Sequence, residues 1–142
     1  MNDYQKQLVQ LSFRHIVPIA DQFANLFYRR LFELNPSLRS LFKGDIEQQG
    51  LKLMMTLQIA VSGLQDLERI APALQRLGRE HTDYGVQPSH YTIVYDALIW
   101  ALEQELGAAF STETKQAWTL LYNRLADIMQ QATPTQQEQD LT

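Results

Sequence analysis

A chain of 142 residues, 45% of them hydrophobic, is long enough for one domain with its own core and short for two. It contains no cysteine, which excludes disulfides, thiolate zinc sites, iron–sulfur clusters and thiol catalysis and suits a reducing cytoplasm. A formal net charge of -4 with the 12 basic residues scattered argues against nucleic acid, and the absence of both a run of about 18 apolar residues and a secretory pattern in MNDYQKQLVQLSFRH argues against membrane or export, so a soluble cytoplasmic protein is expected.

Helical periodicity runs through the chain and no strand alternation interrupts it, so the fold class predicted is all-α. A first helix is expected from about Asp3 to Val17, with Leu8, Leu11, His15 and Ile16 on its buried side. Pro18 suits the first turn of a second helix carrying Phe23, Leu26, Phe27, Leu31 and Leu34. Asn35-Pro36 caps and starts a short helical turn that ends near Phe42-Lys43-Gly44, and Asp45 then caps a helix with Ile46, Leu53, Leu57, Ala60 and Leu64, closing near Gly63. Pro72 is expected to open the next helix, which stops before Gly85. Pro88-Ser89 start another, with Tyr91, Tyr95, Leu98, Leu102 and Leu106 along one side up to Gly107. Ser111 caps the last, whose stripe is Trp118, Leu121, Tyr122, Leu125 and Met129. Residues 1–132 form a single domain in this reading, and the polar tail 133–142, with almost nothing apolar to bury, is expected to be disordered.

One residue stands out for its chemistry. Ile70, Leu74, Leu77, Gly78 and His81 share one helix face, so an imidazole points where the core should be. A buried imidazole needs a hydrogen bond or a metal, and on its own such a residue is more often a satisfied core histidine than a ligand. Other residues are odd in the same way. Phe42 stands at a loop mouth, and Tyr28 and Gln49 put hydrogen-bond donors among apolar positions, although a buried tyrosine commonly bonds a carbonyl and a glutamine near a helix start commonly meets water. His15 reads as a packing or interhelix hydrogen-bonding residue, His90 as a partner of solvent or a loop carbonyl, and Arg29-Arg30 and Arg76 with Arg79 as solvated helix faces.

Taken together, FYRRLFELNPSLRSLF, EQQGLKLM, LGREHTDYGV and AWTLLY, in this order and at these separations, resemble the globin family from about Asp3 to Gln131. The resemblance is to bacterial single-domain globins and the globin part of flavohaemoglobins, with neuroglobin-like features in AFSTETKQAWTLLY. It implies a three-over-three helical fold around haem b (iron protoporphyrin IX). His81 becomes the proximal iron ligand, Phe42 stacks on the porphyrin, Tyr28 and Gln49 line the distal side, and Leu53 packs above the iron. Val86 and Tyr91 follow as proximal wall residues, and Lys52 and Arg79 as cations for the propionates. His81 is expected to donate its other ring nitrogen to a backbone carbonyl one turn back, that of Leu77, which makes the iron-binding nitrogen more basic.

Donors aimed at a bound dioxygen make charge-assisted hydrogen bonds that carbon monoxide hardly feels, so Tyr28 and Gln49 imply tight oxygen binding with slow release. An amide is a poor iron ligand, so the sixth position is expected to be open. Flavohaemoglobins pair the proximal histidine with a tyrosine and a glutamate; Tyr91 matches the tyrosine, but Thr133 falls at the glutamate position, which argues against strong peroxidase-like activation. No GxGxxG fingerprint or flavin domain accompanies the globin pattern, so a catalytic cycle is expected to borrow electrons from a separate reductase.

Three function classes therefore stand side by side. The first is reversible binding of dioxygen, carbon monoxide or nitric oxide, for oxygen storage or transport. The second is enzymatic nitric oxide detoxification by a dioxygenase with a reductase partner, with a haem-based redox or gas sensor as a related possibility. The third, a haem-free helical interaction module, gives no chemical reason for combining His81 with the distal set.

Overall fold

The computed structural model describes the backbone of residues 1–42, 45–83 and 85–141, and the side chains of the same ranges except Ile46, Thr82, Asp83 and 132–141. Every regular element among the described residues is helical, as the periodicity predicts. The elements are α1 (Asp3–Ile16), a 3-10 turn (Val17–Ile19), α2 (Ala20–Leu34), a 3-10 helix (Pro36–Leu41), α3 (Ile46–Ser62), α4 (Leu67–Asp83), α5 (His90–Leu106), a 3-10 turn (Gly107–Ala109) and α6 (Thr112–Leu141). The Lys43-Gly44 stop and the side chains of Thr133 and the rest of the tail lie outside the described residues.

Local chemistry sets most of these boundaries. Asn2 opens α1 with a capping box: its side chain accepts from the Gln5 amide at 2.8 Å while Gln5 Oε1 accepts from the Asn2 amide at 2.9 Å. Asn35 accepts from the Ser37 amide at 3.1 Å, with Pro36 in the first helical position. Asp45 accepts from the Glu47 amide at 3.0 Å, and Ser111 Oγ from the Thr114 amide at 3.1 Å.

The structure corrects several details. Pro72 does not open a helix: α4 already starts at Leu67, where Asp66 Oδ1 accepts from the Arg69 amide at 3.3 Å. Pro72 lies a turn and a half in, so only one carbonyl near the helix start loses its amide partner. Pro18 sits in the 3-10 turn between α1 and α2 rather than in the first turn of α2. The buried face of α1 is Val9, Ser12, Phe13 and Ile16, which leaves Leu11 and His15 exposed. The rotation follows from Ser12, whose Oγ donates to the Leu8 and Val9 carbonyls and accepts from Trp118 Nε1 at 2.8 Å, joining α1 to α6 inside the core. Leu34 is exposed at the end of α2. Arg29 and Arg30 are not simply solvated: both guanidinium groups lie over Trp100, 5.8 and 5.3 Å from its ring centroid, and both pair with Glu33.

Four packing pairs build the core: α4 along α6, α2 across α5, α1 on α6 and α2 on α3. Trp118, Phe23, Ile16, Leu31, Leu74, Leu102 and Leu121 fill it. Two glycines permit the closest crossings. A Cβ on Gly50 of α3 would sit 3.0 Å from Ala24 Cβ of α2, and one on Gly78 of α4 would sit 2.1 Å from the Met129 carbonyl oxygen of α6. No helix among the described residues is long and apolar enough to cross a membrane.

Candidate functional site

The two halves of the expected site are built by different elements. On one side, α2 buries Tyr28 to 5% exposure. Its ring meets Phe27 (centroids 4.9 Å apart, edge-on), Phe32 (6.1 Å, stacked) and Phe42 (5.4 Å, edge-on). Phe42 terminates the 3-10 helix after Pro36, half-buried, and also packs edge-on against Phe32 at 5.6 Å. Arg39 lies over the outer face of Phe32, 5.4 Å from the ring centroid, and so lids this aromatic group.

The Tyr28 hydroxyl donates to the main-chain carbonyl of Gln49 at 2.9 Å, tying α2 to the first turn of α3. Burial pushes this phenol well above its ordinary pKa of 10.0, so it is a neutral donor throughout the physiological range. Gln49 and Leu53 are half-buried and one turn apart on α3, while Lys52 is exposed beside them.

On the other side, His81 is half-buried near the end of α4, and its Nδ1 lies 2.6 Å from the Leu77 carbonyl oxygen. A carbonyl only accepts, so Nδ1 carries the proton and the lone pair is left on Nε2. The chain turns immediately afterwards: Gly85 takes a φ of 97°, and the Val86 amide donates to the His81 carbonyl at 3.0 Å, the six-to-one closure of a Schellman stop. This closure holds His81 by its own main chain. It also brings the two halves together, because a Cβ on Gly85 would lie 3.2 Å from Leu41 Cδ2, next to Phe42.

The remaining expected residues are less closely joined. Arg79 is half-buried on α4. Tyr91, half-buried on the first turn of α5, accepts a 2.6 Å hydrogen bond from the Tyr122 hydroxyl on its main-chain carbonyl. His90 accepts on Nδ1 from the Gln87 amide at 3.0 Å, so its partner is a main-chain donor and not a loop carbonyl. Sequence reasoning missed Phe27 and Arg39 as members of the aromatic group. Phe27 is visible only as a core residue, and nothing in the spacing of Arg39 from Phe32 announces their contact.

Chemically, the set fits a haem. Among the described residues no group of three His, Cys, Asp or Glu side chains is placed to hold a metal ion; a haem iron takes a single imidazole on its proximal side, and the orientation of His81, with Nδ1 on the Leu77 carbonyl, fits that demand. Elsewhere Leu41, Phe42, Leu53, Met54, Ile93 and Val94 pack on the core yet remain only half-buried, leaving apolar surface on several elements that a flat apolar group could cover.

Comparison with known proteins agrees. The sequence pattern of the family Globin matches residues 25–129. Neuroglobin of Danio rerio is 32% identical over 118 residues, 73% of this chain and 74% of that protein. A flavohemoprotein of Halalkalibacterium halodurans is 28% identical over 126 residues, 87% of this chain, which spans only 31% of that longer protein. Among solved structures, an engineered carbene transferase built on a Rhodothermus marinus protein assigned as a nitric oxide dioxygenase superposes with a TM-score of 0.84 at 28% identity, covering 99% of this chain and 97% of the other. A bacterial globin from Campylobacter jejuni gives 0.79 at 22% identity over 96% of this chain and 99% of that one, a likeness of fold. Helix order, the stop after His81 and the sequence match converge: the chain belongs to the globin family.

Proposed function

We propose that residues 1–132 form a single globin domain that holds haem b through Nε2 of His81 and reversibly binds dioxygen, with carbon monoxide and nitric oxide as competing ligands. The observation that carries this reading is the 2.6 Å contact between His81 Nδ1 and the Leu77 carbonyl, which orients the ring and leaves the lone pair on Nε2. When bound, the haem iron supplies the coordination position at which a diatomic gas is taken up.

The chain's residues do the rest. Phe42 packs against the macrocycle, Leu53, Val86 and Tyr91 exclude water from its faces, and Lys52 and Arg79 serve the propionates. Tyr28 and Gln49 offer hydrogen bonds to a ligand that carries negative charge, which favours dioxygen over carbon monoxide. Because the Tyr28 hydroxyl also has the Gln49 carbonyl within 2.9 Å, its proton is shared between two acceptors, and its contribution to oxygen retention is the difference between them.

The test is an absorption spectrum of the haem-loaded chain and of His81→Gly. The parent is expected to give a five-coordinate ferrous form that becomes a long-lived oxygen complex; His81→Gly should lose the histidine-ligated spectrum and regain it with added imidazole. A variant indistinguishable from the parent refutes His81 as the ligand.

A second reading, nitric oxide dioxygenase, is favoured by the likeness to the Rhodothermus marinus protein over 99% of the chain. In this reading the haem that His81 would hold would supply the one electron needed for dioxygen and nitric oxide to leave as nitrate, and a separate reductase would have to return that electron in each cycle. Sustained nitrate formation with a reductase and a nicotinamide cofactor supports this reading; a single stoichiometric burst leaves the oxygen-binding role.

A further inference from the structure

Between α5 and α6 lies a feature that shares only Tyr91 with the residues assigned to the haem. Beyond the Tyr122–Tyr91 hydrogen bond, α5 and α6 enclose an open cleft of about 570 Å³, a volume in the range of small-ligand sites. Tyr91 and Tyr95 line it from α5, and Tyr122, Asn123, Asp127 and Gln130 from α6.

Its aromatic wall is set in advance. The Tyr122 hydroxyl is committed to the Tyr91 carbonyl at 2.6 Å, and the Tyr95 hydroxyl to Thr119 Oγ1 at 2.7 Å. With both phenols tied to the protein and their rings 5.4 Å apart at 57°, neither ring has to be ordered when something binds. The charge is one-sided: Asp127 is the acidic member of the lining, no described residue of it is basic, and Asp96 lies near enough to Tyr122 to disfavour its ionisation. Asn123 and Gln130 add carbonyl acceptors at the rim.

We propose that this cleft binds an organic monocation, an alkylammonium or guanidinium head on an apolar body, with the cation against Asp127 and the faces of Tyr95 and Tyr122. An anion would meet the carboxylate, and a neutral apolar molecule would gain the rings but leave the carboxylate and amides unused. The proposal stands on Tyr95, Tyr122 and Asp127 and is independent of whether haem binds.

The test is a titration of the full-length, nitrogen-15-labelled chain with phenethylammonium chloride, followed by amide chemical shifts, beside phenethyl alcohol and phenylacetate at matched ionic strength. Saturable shifts confined to Thr92, Asn123, Asp127 and Gln130 are expected, with the ammonium bound about 3- to 20-fold tighter than the alcohol. Asp127→Asn, a change at an exposed position, should remove most of that preference while leaving alcohol binding intact; Tyr95→Leu should weaken both. Equal affinity for ammonium and alcohol, a preference for phenylacetate, an unchanged preference in Asp127→Asn, or no saturable shift in the cleft up to about 50 mM overturns the proposal.

Discussion

Tyr28→Phe separates the observed partner of the tyrosine hydroxyl, the Gln49 carbonyl, from the proposed one, a haem-bound ligand. The substitution keeps the ring, and with it the contacts to Phe27, Phe32 and Phe42, and deletes only the 2.9 Å hydrogen bond to the Gln49 carbonyl. That carbonyl lies within a helix and keeps an intrahelical amide partner, so the deletion leaves no orphaned acceptor. Its cost should therefore be that of one neutral hydrogen bond, about 0.5–1.5 kcal/mol. For a chain of 142 residues this lowers the unfolding midpoint by roughly 2–6 °C. Oxygen retention answers differently. If the hydroxyl turns to the ligand, it gains a charge-assisted bond of about 1.5–3 kcal/mol and gives up the neutral one to the Gln49 carbonyl, so its loss removes a net of about 1–1.5 kcal/mol and oxygen should dissociate roughly 5- to 12-fold faster. Carbon monoxide dissociation should barely change. Stopped-flow replacement of oxygen by carbon monoxide, with a thermal melt of the same variant, reads both. A lower melting temperature with an unchanged oxygen off-rate refutes the ligand-facing role and leaves Tyr28 as a tie between α2 and α3.

Two further outcomes follow from packing and burial. Gly78→Ala places a Cβ 2.1 Å from the Met129 carbonyl oxygen, a backbone atom that cannot rotate away, so α4 must lift from α6; urea unfolding should show a loss of about 3 kcal/mol, and haem should leave faster because His81 lies one turn further along α4. Tyr28 and Tyr122 both have phenols raised above the ordinary 10.0 by burial, so their contribution to stability is complete below pH 10 and is lost as the pH rises past it, where the unfolded chain ionises and the native one resists. Urea midpoints followed from neutral pH to about pH 11 should fall above pH 10, and less steeply in Tyr122→Phe; equal slopes refute the assignment.

Where the sequence misleads, a tertiary partner is the reason. The apolar stripe of α1 reads as Leu8, Leu11, His15 and Ile16, yet Ser12 takes the core position because Trp118, 106 residues later, supplies an indole donor to its hydroxyl. Periodicity ranks a serine below a leucine and has no access to that pairing. Pro72 misplaces the start of α4 for a related reason: proline suits a first turn, but the side chain of Asp66 already caps the helix upstream, and a helix with that much packing against α6 tolerates one missing amide. Arg29 and Arg30 look like a solvated pair because their common partner, Trp100, belongs to α5.

The arrangement around His81 was far more legible, because its determinants are local. Leu77 precedes the histidine by one helical turn, so the carbonyl that orients its ring comes with the helix itself. Gly85 follows at the position where a positive φ ends a helix, and the Val86 amide then returns to the His81 carbonyl. Gly78 lets the same helix approach α6 until no Cβ would fit between them. Ring, main chain and helix position are thus each fixed by a residue within five of the histidine, so the stretch LGREHTDYGV carries an almost complete specification of a firmly held imidazole. The opposite wall is specified differently. Tyr28, Phe42 and Gln49 come from three separate elements, and their meeting depends on the close approach that Gly50 allows between α3 and Ala24 of α2. Under the proposed haem assignment, substitutions that alter the α2–α3 crossing should therefore change gas discrimination on the Tyr28 side while leaving the bond proposed between His81 and iron intact.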